Sequence, residues 1–385
     1  MTNPEKKRVL ALVTDAYGGT GGIAQYNRDF LESLAAHPSI GEIVVVPRII
    51  SRDLQPVPQN VKHLESSAGS KARFVRTVAR LSSRKSAFDL VICAHANLLP
   101  VAWLAARRMK AKLIVMVYGL EVWNPGNWPM RYMLHRTDGV VAISAFTVKR
   151  LRQWAVIPGD RIVLVPNAID LDAYTPGEGS EHLRRRLGLG KGPVLLTLGR
   201  MDASERAKGF DEVLEIMPSL LEDYPTLTYC LAGDGTDRAR LEEKAAKLGV
   251  ADHTVFTGYV PEEQKLDLYR LTDLFVMPSR LEGFGYVFLE ALACGIPVVA
   301  SSVDGSKEAV RGGEWGSLAD PNNRDELLTA IRNGLRSGAA PSRDELEYFS
   351  KRRFRTRVWR AVERTLSLPQ TRRSRRESRD DQVFA

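Results

Sequence analysis

Short unbroken apolar runs alternate along this chain with longer stretches in which apolar residues recur every three or four positions. The runs fall at residues 9–14, 43–46, 90–94, 113–117 and 139–143, and the periodic stretches at 23–36, 71–82, 101–108 and 147–154. A run that is apolar at every position predicts a strand buried on both faces. Such strands belong to parallel sheets whose crossover helices cover both sides. The pattern then restarts. Residues 162–165 are followed by a stretch rich in glycine, proline and charge as far as Gly192, which reads as a hinge. Beyond it, strands are predicted at 194–198, 228–232, 254–257, 274–277 and 297–300, and helices at 210–224, 237–248, 262–270 and 287–293. The expected fold class is α/β, with two doubly wound, Rossmann-like halves of similar size. The sequence from Thr371 onward is too polar to pack, and disorder is expected there.

A length of 385 residues suits two domains, and 44% hydrophobic with 26% charged residues excludes gross disorder. No apolar run reaches the ~18–20 residues that cross a bilayer. The first eight residues are polar and lead straight into a strand, so no secretory signal is expected. Cys93, Cys230 and Cys294 are far apart in apolar surroundings, which fits buried thiols in a reducing cytoplasm better than disulfides or a metal site.

Charge changes the picture more. The net +9 is unevenly spread: residues 1–165 hold 23 Lys and Arg against 11 Asp and Glu, residues 166–350 hold 20 against 31, and residues 351–385 hold 12 against 4. The first half therefore presents a basic face to an anionic partner. Nucleic acid, phospholipid and phosphorylated small molecules all fit that charge. Nucleic acid is disfavoured because no aromatic-interleaved or helix-turn-helix pattern accompanies it.

Candidate chemistry concentrates in three loops. Gly18-Gly19-Thr20-Gly21-Gly22 follows the first strand and opens a helix, a context that aims backbone N–H groups at an anion. Its spacing is wrong for a dinucleotide fingerprint, and the next strand ends in Pro47-Arg48 without an acid for a ribose, so hydride transfer is disfavoured. In the second half, Leu198-Gly199-Arg200 ends a first strand and Lys208-Gly209-Phe210 opens the next helix. Two cations at the carboxyl end of a strand suit a diphosphate, although either also reads as a solvated surface charge. The third loop begins at Pro278 and holds Glu282 between strand and helix, then Gly283-Phe284-Gly285 at the helix start and Glu290 within the helix. Glu290 is flanked by Leu289, Ala291 and Leu292, and a carboxylate buried among them needs partners.

Glu282 and Glu290, eight residues apart inside SRLEGFGYVFLEALACGIPVVAS, resemble the paired acids of the retaining glycosyltransferases of family four, which have the GT-B architecture. The N-terminal glycine turn, Val165-Pro166-Asn167-Ala168-Ile169-Asp170, Gly199-Arg200 with Lys208-Gly209, Ala232-Gly233-Asp234-Gly235 and Phe256-Thr257-Gly258-Tyr259 fall in the family's order and extend the resemblance over almost the whole chain. It implies a GT-B fold, two Rossmann-like domains facing across a cleft. Residues 1–165 would bind the acceptor, 166–191 would form the hinge, and 192–345 would bind a nucleotide-diphosphate sugar. Residues 346–368 would form a helix crossing back to the first domain, ahead of a basic tail, 369–385. By family pattern, Arg200, Lys208 and Glu282 are catalytic. Gly21, Gly22, Gly283, Phe284, Gly285 and Glu290 contact the donor, Glu290 through ribose hydroxyls, and the loop after Phe256 reads the base.

Three departures stand out. Lys208 lies eight residues after Arg200, where the family commonly has five. Tyr118 stands where many members have a histidine beside the donor sugar, with His95 as a partial substitute. Asp304-Gly305-Ser306-Lys307-Glu308 keeps the acid of a Gly-Gly-x-x-Glu segment but not both glycines. Asp170-Leu171-Asp172 is formally a metal-binding DxD, read here as chance; no metal or other cofactor is expected, since Arg200, Lys208 and helix ends would neutralise the diphosphate.

The resemblance implies transfer of a hexose from a GDP-mannose or UDP-glucose type donor, with retention, to a lipid-linked saccharide of exopolysaccharide or lipopolysaccharide assembly. The expected setting is cytoplasmic, peripherally attached to an anionic inner-leaflet surface, partly through a basic segment from Lys71 to Lys85 that contains Phe74, Val75, Val78 and Leu81. A nucleotide-sugar 2-epimerase of the same architecture and a non-catalytic nucleotide-sugar binding protein are the alternatives.

Overall fold

The computed structural model describes residues 6–204 and 206–368. The expected tail, 369–385, lies outside the described residues. The first sheet contains β1 (Lys7–Val13), β2 (Ile40–Pro47), β3 (Val61–His63), β4 (Leu90–Ala94), β5 (Lys112–Val117), β6 (Gly139–Ala142) and β7 (Ile162–Leu164). The second contains β8 (Val194–Leu198), β9 (Thr228–Ala232), β10 (Thr254–Gly258), β11 (Leu274–Met277), β12 (Val298–Ser301) and β13 (Ser317–Ala319). Their spatial orders are β3-β2-β1-β4-β5-β6-β7 and β10-β9-β8-β11-β12-β13. All strand pairings in both sheets are parallel. The central strands β1, β4, β5, β8 and β11 are buried almost throughout, which accounts for their continuous apolar sequence.

Both orders reverse direction beside their first strand, between β1 and β4 and between β8 and β11. Open parallel sheets bind ligands at the carboxyl ends of the strands at such a reversal, because the following loops diverge there and leave a crevice. The two crevices face each other, joined by contacts such as Tyr286 to Asp29 and Glu308 to the Ala145 and Phe146 backbone.

The long helices fall where periodicity places them, including Gly22–Ala35, Phe210–Asp223, Glu262–Arg270 and Tyr286–Ala293. Other elements were not anticipated: the edge strands β3 and β13, the helices Trp128–His135 and Arg324–Ser337, and a short helix Glu181–Arg186 inside the stretch read as a hinge. The helix Lys351–Ser367 lies on the N-terminal half. Trp359 Nε1 donates to Ser33 O at 2.6 Å, and the Phe354 ring meets Tyr26 edge-on at 5.4 Å. All three cysteines are buried, and burial pushes each thiol up to about 12, out of reach of thiolate chemistry at neutral pH.

Candidate functional site

The loops after β8 and β11 are fastened to one another. Gly209 adopts φ +85°, and a Cβ there would lie 2.6 Å from Pro278 Cδ, so only glycine lets the end of the first loop lie on the start of the second. This brings Lys208 Nζ to 2.6 Å from Glu282 Oε2. Both side chains are largely buried. Arg200 follows β8 by two residues and is mostly exposed, its Nε 3.7 Å from Asp202 Oδ2. The structure thus brings Arg200, Lys208 and Glu282 to the strand ends on either side of the β8/β11 reversal.

Asp304 holds this loop and was not singled out from the sequence. It is fully buried; its Oδ2 accepts from Ser279 Oγ at 2.5 Å and from the Glu282 backbone N–H at 2.8 Å, and its Oδ1 accepts from Ser306 N and Oγ at 2.9 and 2.6 Å. Burial raises its pKa against the pull of those hydrogen bonds. The Gly305 N–H donates to Glu282 O at 2.8 Å, and a Cβ on Gly305 would lie 2.2 Å from Gly283 O. The available signal was an acid at the carboxyl end of a buried strand, followed by Gly-Ser.

Gly285, at φ +87°, opens the helix Tyr286–Ala293; no side chain caps its N-terminus, and its first turn carries no acid. On the facing half, Gly21 at φ +84° opens the helix Gly22–Ala35 in the same way. A Cβ on Gly22 would lie 3.7 Å from Tyr286 Cδ2, so these two positive helix ends are neighbours across the cleft. The glycine turn before Gly22 is braced by its own helix: Asn27 Nδ2 donates to Asp15 O at 2.8 Å, and Arg28 Nη1 donates to Ala16 O and Gly19 O at 2.8 and 3.1 Å. Asp15, pressed against Gly19, is raised to about 6 by burial, with Arg28 opposing.

Four further contacts join the halves. Tyr286 OH donates to Asp29 Oδ2 at 3.0 Å. Glu308 accepts from the Ala145 and Phe146 backbone N–H groups at 2.8 and 2.7 Å, at the start of the helix Ala145–Arg152. Arg52 Nη1 donates to Tyr259 OH at 3.1 Å. Gly283 lies so close to the Tyr118 carbonyl that a Cβ would be 2.1 Å from its oxygen.

Glu290 is 0% exposed. Tyr269 OH donates to its Oε2 at 2.7 Å, and Lys265 Nζ is 3.6 Å from its Oε1 and 2.8 Å from Glu262 Oε2. Burial raises the Glu290 pKa; Lys265 is raised because Glu290 and Glu262 outweigh its burial. The helix carrying Lys265 also borders a cavity of 380 Å³ lined by Leu183, Arg186, Phe256, Thr257, Tyr259 and Gln264. On this helix Lys265 and Tyr269 reach Glu290, while the residues just before them, Gln264 and Leu268, line the cavity beside the loop after Phe256.

The Tyr118 side chain points into the N-terminal core, its OH donating to Asn27 Oδ1 at 2.7 Å, so this residue reaches the cleft through its backbone carbonyl. His95 is half-buried and its Nδ1 accepts from Asn97 N at 3.1 Å, which leaves Nε2 as the protonated nitrogen of the neutral ring; burial lowers its pKa against Glu121. Asp170 and Asp172 pair with Lys351 and Arg343 of the C-terminal segment.

Comparisons with known proteins agree with this geometry. Residues 20–173 match the model described as "Glycosyltransferase Family 4", and residues 180–353 the model "Glycosyl transferases group 1". A GDP-mannose-dependent alpha-(1-6)-phosphatidylinositol monomannoside mannosyltransferase of Mycolicibacterium smegmatis is 31% identical over 288 residues, covering 72% of this chain and 74% of the relative. A D-inositol 3-phosphate glycosyltransferase of Thermomonospora curvata is 30% identical, covering 91% and 90%. The structure of Anabaena HepE with UDP-glucose superposes with a TM-score of 0.73 at 19% identity, over 93% of this chain and 99% of that one. With two facing parallel sheets, an acid–lysine pair at the reversal of the second and relatives matched over most of their length, the chain belongs to glycosyltransferase family 4 and has the GT-B fold.

Proposed function

We propose that this glycosyltransferase takes a hexose from a nucleotide-diphosphate sugar of the GDP-mannose or UDP-glucose type and passes it, with retention, to a lipid-linked saccharide of cell-surface polysaccharide assembly. The observation that carries this reading is the Lys208–Glu282 pair at the β8/β11 reversal, beside the uncapped start of the helix Tyr286–Ala293. Lys208 and Arg200 complement a diphosphate. The helix end adds partial positive charge, and Glu282, paired with Lys208, would accept from a sugar hydroxyl. The donor class is supported by the mannosyltransferase relative, whose name gives a phosphatidylinositol monomannoside, a lipid glycoside, as its acceptor. In the proposed reaction the acceptor hydroxyl attacks on the face the diphosphate leaves, and the departing phosphate oxygen takes its proton. The C–O bond to phosphate breaks as the new glycosidic bond forms, while Arg200, Lys208 and the helix end stabilise the charge that develops.

The basic segment expected to lie on a membrane is the helix Lys71–Leu81. Phe74 and Val78 are buried in the protein's own core, whereas Val75 is 46% exposed among the outward arginines. Its contribution to membrane attachment is therefore electrostatic adsorption, without an inserted apolar face. No helix among the described residues is long and apolar enough to cross a membrane.

The test is transfer from each donor to a polyprenyl-diphosphate-linked saccharide, with the product's anomeric configuration read by NMR. Lys208→Ala and Glu282→Ala should each lose ~100-fold or more in rate, as expected for one charge-assisted contact in the transition state. Wild-type kcat/KM in folded Lys208→Ala protein, or an inverted product, would overturn the assignment. Activity should survive exhaustive chelation; loss restored by Mg²⁺ or Mn²⁺ would mean that the Arg–Lys pair is not the diphosphate's full complement.

A further inference from the structure

The N-terminal half carries an aromatic surface that the transfer chemistry does not use. Two adjacent helices, Leu99–Met109 and Trp128–His135, turn their small and apolar residues inward, Ala102, Ala105, Ala106, Met109, Met133 and Leu134 among them. Leu104 and Trp128 are exposed on their outward faces, with Trp103 and Tyr132 half-buried between them and the core. Leu104 is 57% exposed and Trp128 73%, the highest value among the exposed large hydrophobic residues. The rings form a row: Trp103 and Tyr132 have centroids 6.1 Å apart, and Tyr132 and Trp128 5.4 Å. Arginines lie on it, with Arg107 Cζ 4.7 Å from the Trp103 centroid and Arg136 Cζ 3.9 Å from that of Tyr132. Core burial does not explain a tryptophan left this open, and a single exposed apolar residue would need no explanation; Trp128 at the open end of a ring row, with Leu104 exposed on the neighbouring helix and arginines on the ring faces, does.

The surrounding charge is one-sided. The helix Lys71–Leu81 borders the helix Leu99–Met109, so its arginines extend the same face. From Lys71 to Arg136 the sequence holds 12 Lys and Arg against two acids, Asp89 and Glu121. Both acids are already engaged, Asp89 by Lys7 Nζ at 3.1 Å and the Arg8 backbone N–H at 2.9 Å, and Glu121 by the Tyr118 backbone N–H. Aromatic rings with polar edges favour the boundary between headgroups and acyl chains, and arginines beside them favour an anionic leaflet. The location also suits delivery of a membrane-borne acceptor. Trp123 lies against Gly119, where a Cβ would be 3.3 Å from its ring, and Gly119 adjoins Gly283 at the cleft. Only the four residues 124–127 separate Trp123 from Trp128.

We propose that Trp128 and Leu104, flanked by Trp103, Tyr132 and their arginines, form an anchoring surface that inserts at the headgroup boundary of an anionic phospholipid leaflet. It seats the mouth of the cleft against the membrane, with the helix Lys71–Leu81 adding only charge. The inference rests on the lipid-acceptor reading above.

The experiment uses the full chain and phosphatidylcholine vesicles with and without phosphatidylglycerol, some containing brominated acyl chains. Wild-type protein should sediment with the anionic vesicles, and bromine should quench its tryptophan fluorescence. Trp128→Phe should lose most of that quenching. The double variant Trp128→Ala/Leu104→Ala should bind about tenfold more weakly while keeping wild-type transfer to a water-soluble saccharide, which certifies its fold. If the wild type binds but the double variant binds equally well and Trp128→Phe is quenched as before, the anchoring surface is wrong and the membrane reading stands on the basic helix alone. If the wild type binds no vesicle and transfers efficiently to free sugars, both fall. If the wild type is a dimer that Trp128→Ala converts to monomers, and no vesicle binding accompanies it, the occupant of this face is a second copy of the chain and the lipid proposal is overturned.

Discussion

Gly283→Ala tests whether transfer requires the close approach of the two halves at Tyr118. Gly283 lies outside the left-handed region, so its backbone conformation accepts alanine. The added Cβ would lie 2.1 Å from the Tyr118 carbonyl oxygen and 3.2 Å from Ile143 Cδ1. The isoleucine can rotate away; the carbonyl cannot. Tyr118 is held by Glu121 at its backbone N–H and by Asn27 at its hydroxyl, and the loop bearing Gly283 is held by Asp304. Since a carbon–oxygen contact normally stays beyond about 3.3 Å, the halves must part by about 1 Å. A displacement of that size at a reacting centre costs on the order of 100-fold in rate, or about 2.7 kcal/mol. Because the added carbon clashes across the cleft, and the contacts of Lys208, Glu282 and Asp304 within the donor half stay in place, affinity for the nucleoside diphosphate should stay within a few-fold. The assay pairs transfer kinetics with calorimetric titration of GDP and UDP and a thermal melt. Gly305→Ala is the contrast: its Cβ would meet Gly283 O at 2.2 Å inside the donor half, so nucleotide affinity should fall as well. A folded Gly283→Ala enzyme with wild-type kcat/KM would refute the reasoning, since the reaction would then not depend on this approach of the halves.

Two other cross-cleft contacts make predictions. Asp29, buried beside Tyr286, is raised to about 6 from 3.8, chiefly by burial. A carboxyl raised in the folded state contributes stability that is complete below about pH 4 and lost as pH rises through about 6, a loss on the order of 3 kcal/mol. Asp29→Asn keeps an acceptor for the Tyr286 hydroxyl, so its advantage in Tm over the wild type should grow from pH 4 to pH 7; a pH-independent difference would refute this. Glu308→Gln leaves a single acceptor oxygen for two helix N–H donors, at a cost of roughly 1–3 kcal/mol to the closed form. X-ray scattering should then report a larger radius of gyration and kinetics a lower kcat/KM, and unchanged values in both would dismiss Glu308 as a closure contact.

The central strands were legible because burial on both faces leaves an unbroken apolar run, as at Leu90–Ala94 and Val194–Leu198. The edge strands Val61–His63 and Ser317–Ala319 were not, since each is three residues long and only one of its residues is buried. The helix Arg324–Ser337 has a readable apolar face, with Leu327, Ala330 and Ile331 buried at helical spacing, and was passed over, whereas Trp128–His135 begins Trp128-Pro129 directly after Asn124-Pro125-Gly126-Asn127, a stretch that reads as a loop. Arg200, Lys208 and Glu282 stood out because the first loop is glycine-punctuated between strand and helix and the second is framed by glycines. Asp304 did not, because its work is hydrogen bonding to backbone and serine groups, which leaves no periodicity. The closure contacts were invisible for a related reason. Gly283 against Tyr118 and Glu308 against Ala145 and Phe146 are meetings of side chain or Cα with distant backbone, and backbone atoms carry no sequence signature.

Those hidden contacts bear on how a ligand could favour the closed form. Tyr286 is the first residue of the helix opened by Gly285, and Asp29 lies two turns into the helix opened by Gly21; their hydrogen bond ties the two helices together, and Gly22 beside Tyr286 brings their positive poles next to one another at the cleft. An anion that touches both ends gains both interactions only when the halves are together. A ligand shifts a conformational equilibrium by its differential affinity for the two states, so such an anion favours closure by whatever the second helix end contributes. That contribution is of the order of 0.3–1 kcal/mol for an exposed helix end and up to ~2 when partly buried. By itself this is less than the ~5.5 kcal/mol needed to move a population from 1:99 to 99:1. A ligand acting through these helix ends alone would therefore switch the halves only where the contacts of Glu308, Tyr286 and Gly283 already hold the open and closed forms near balance.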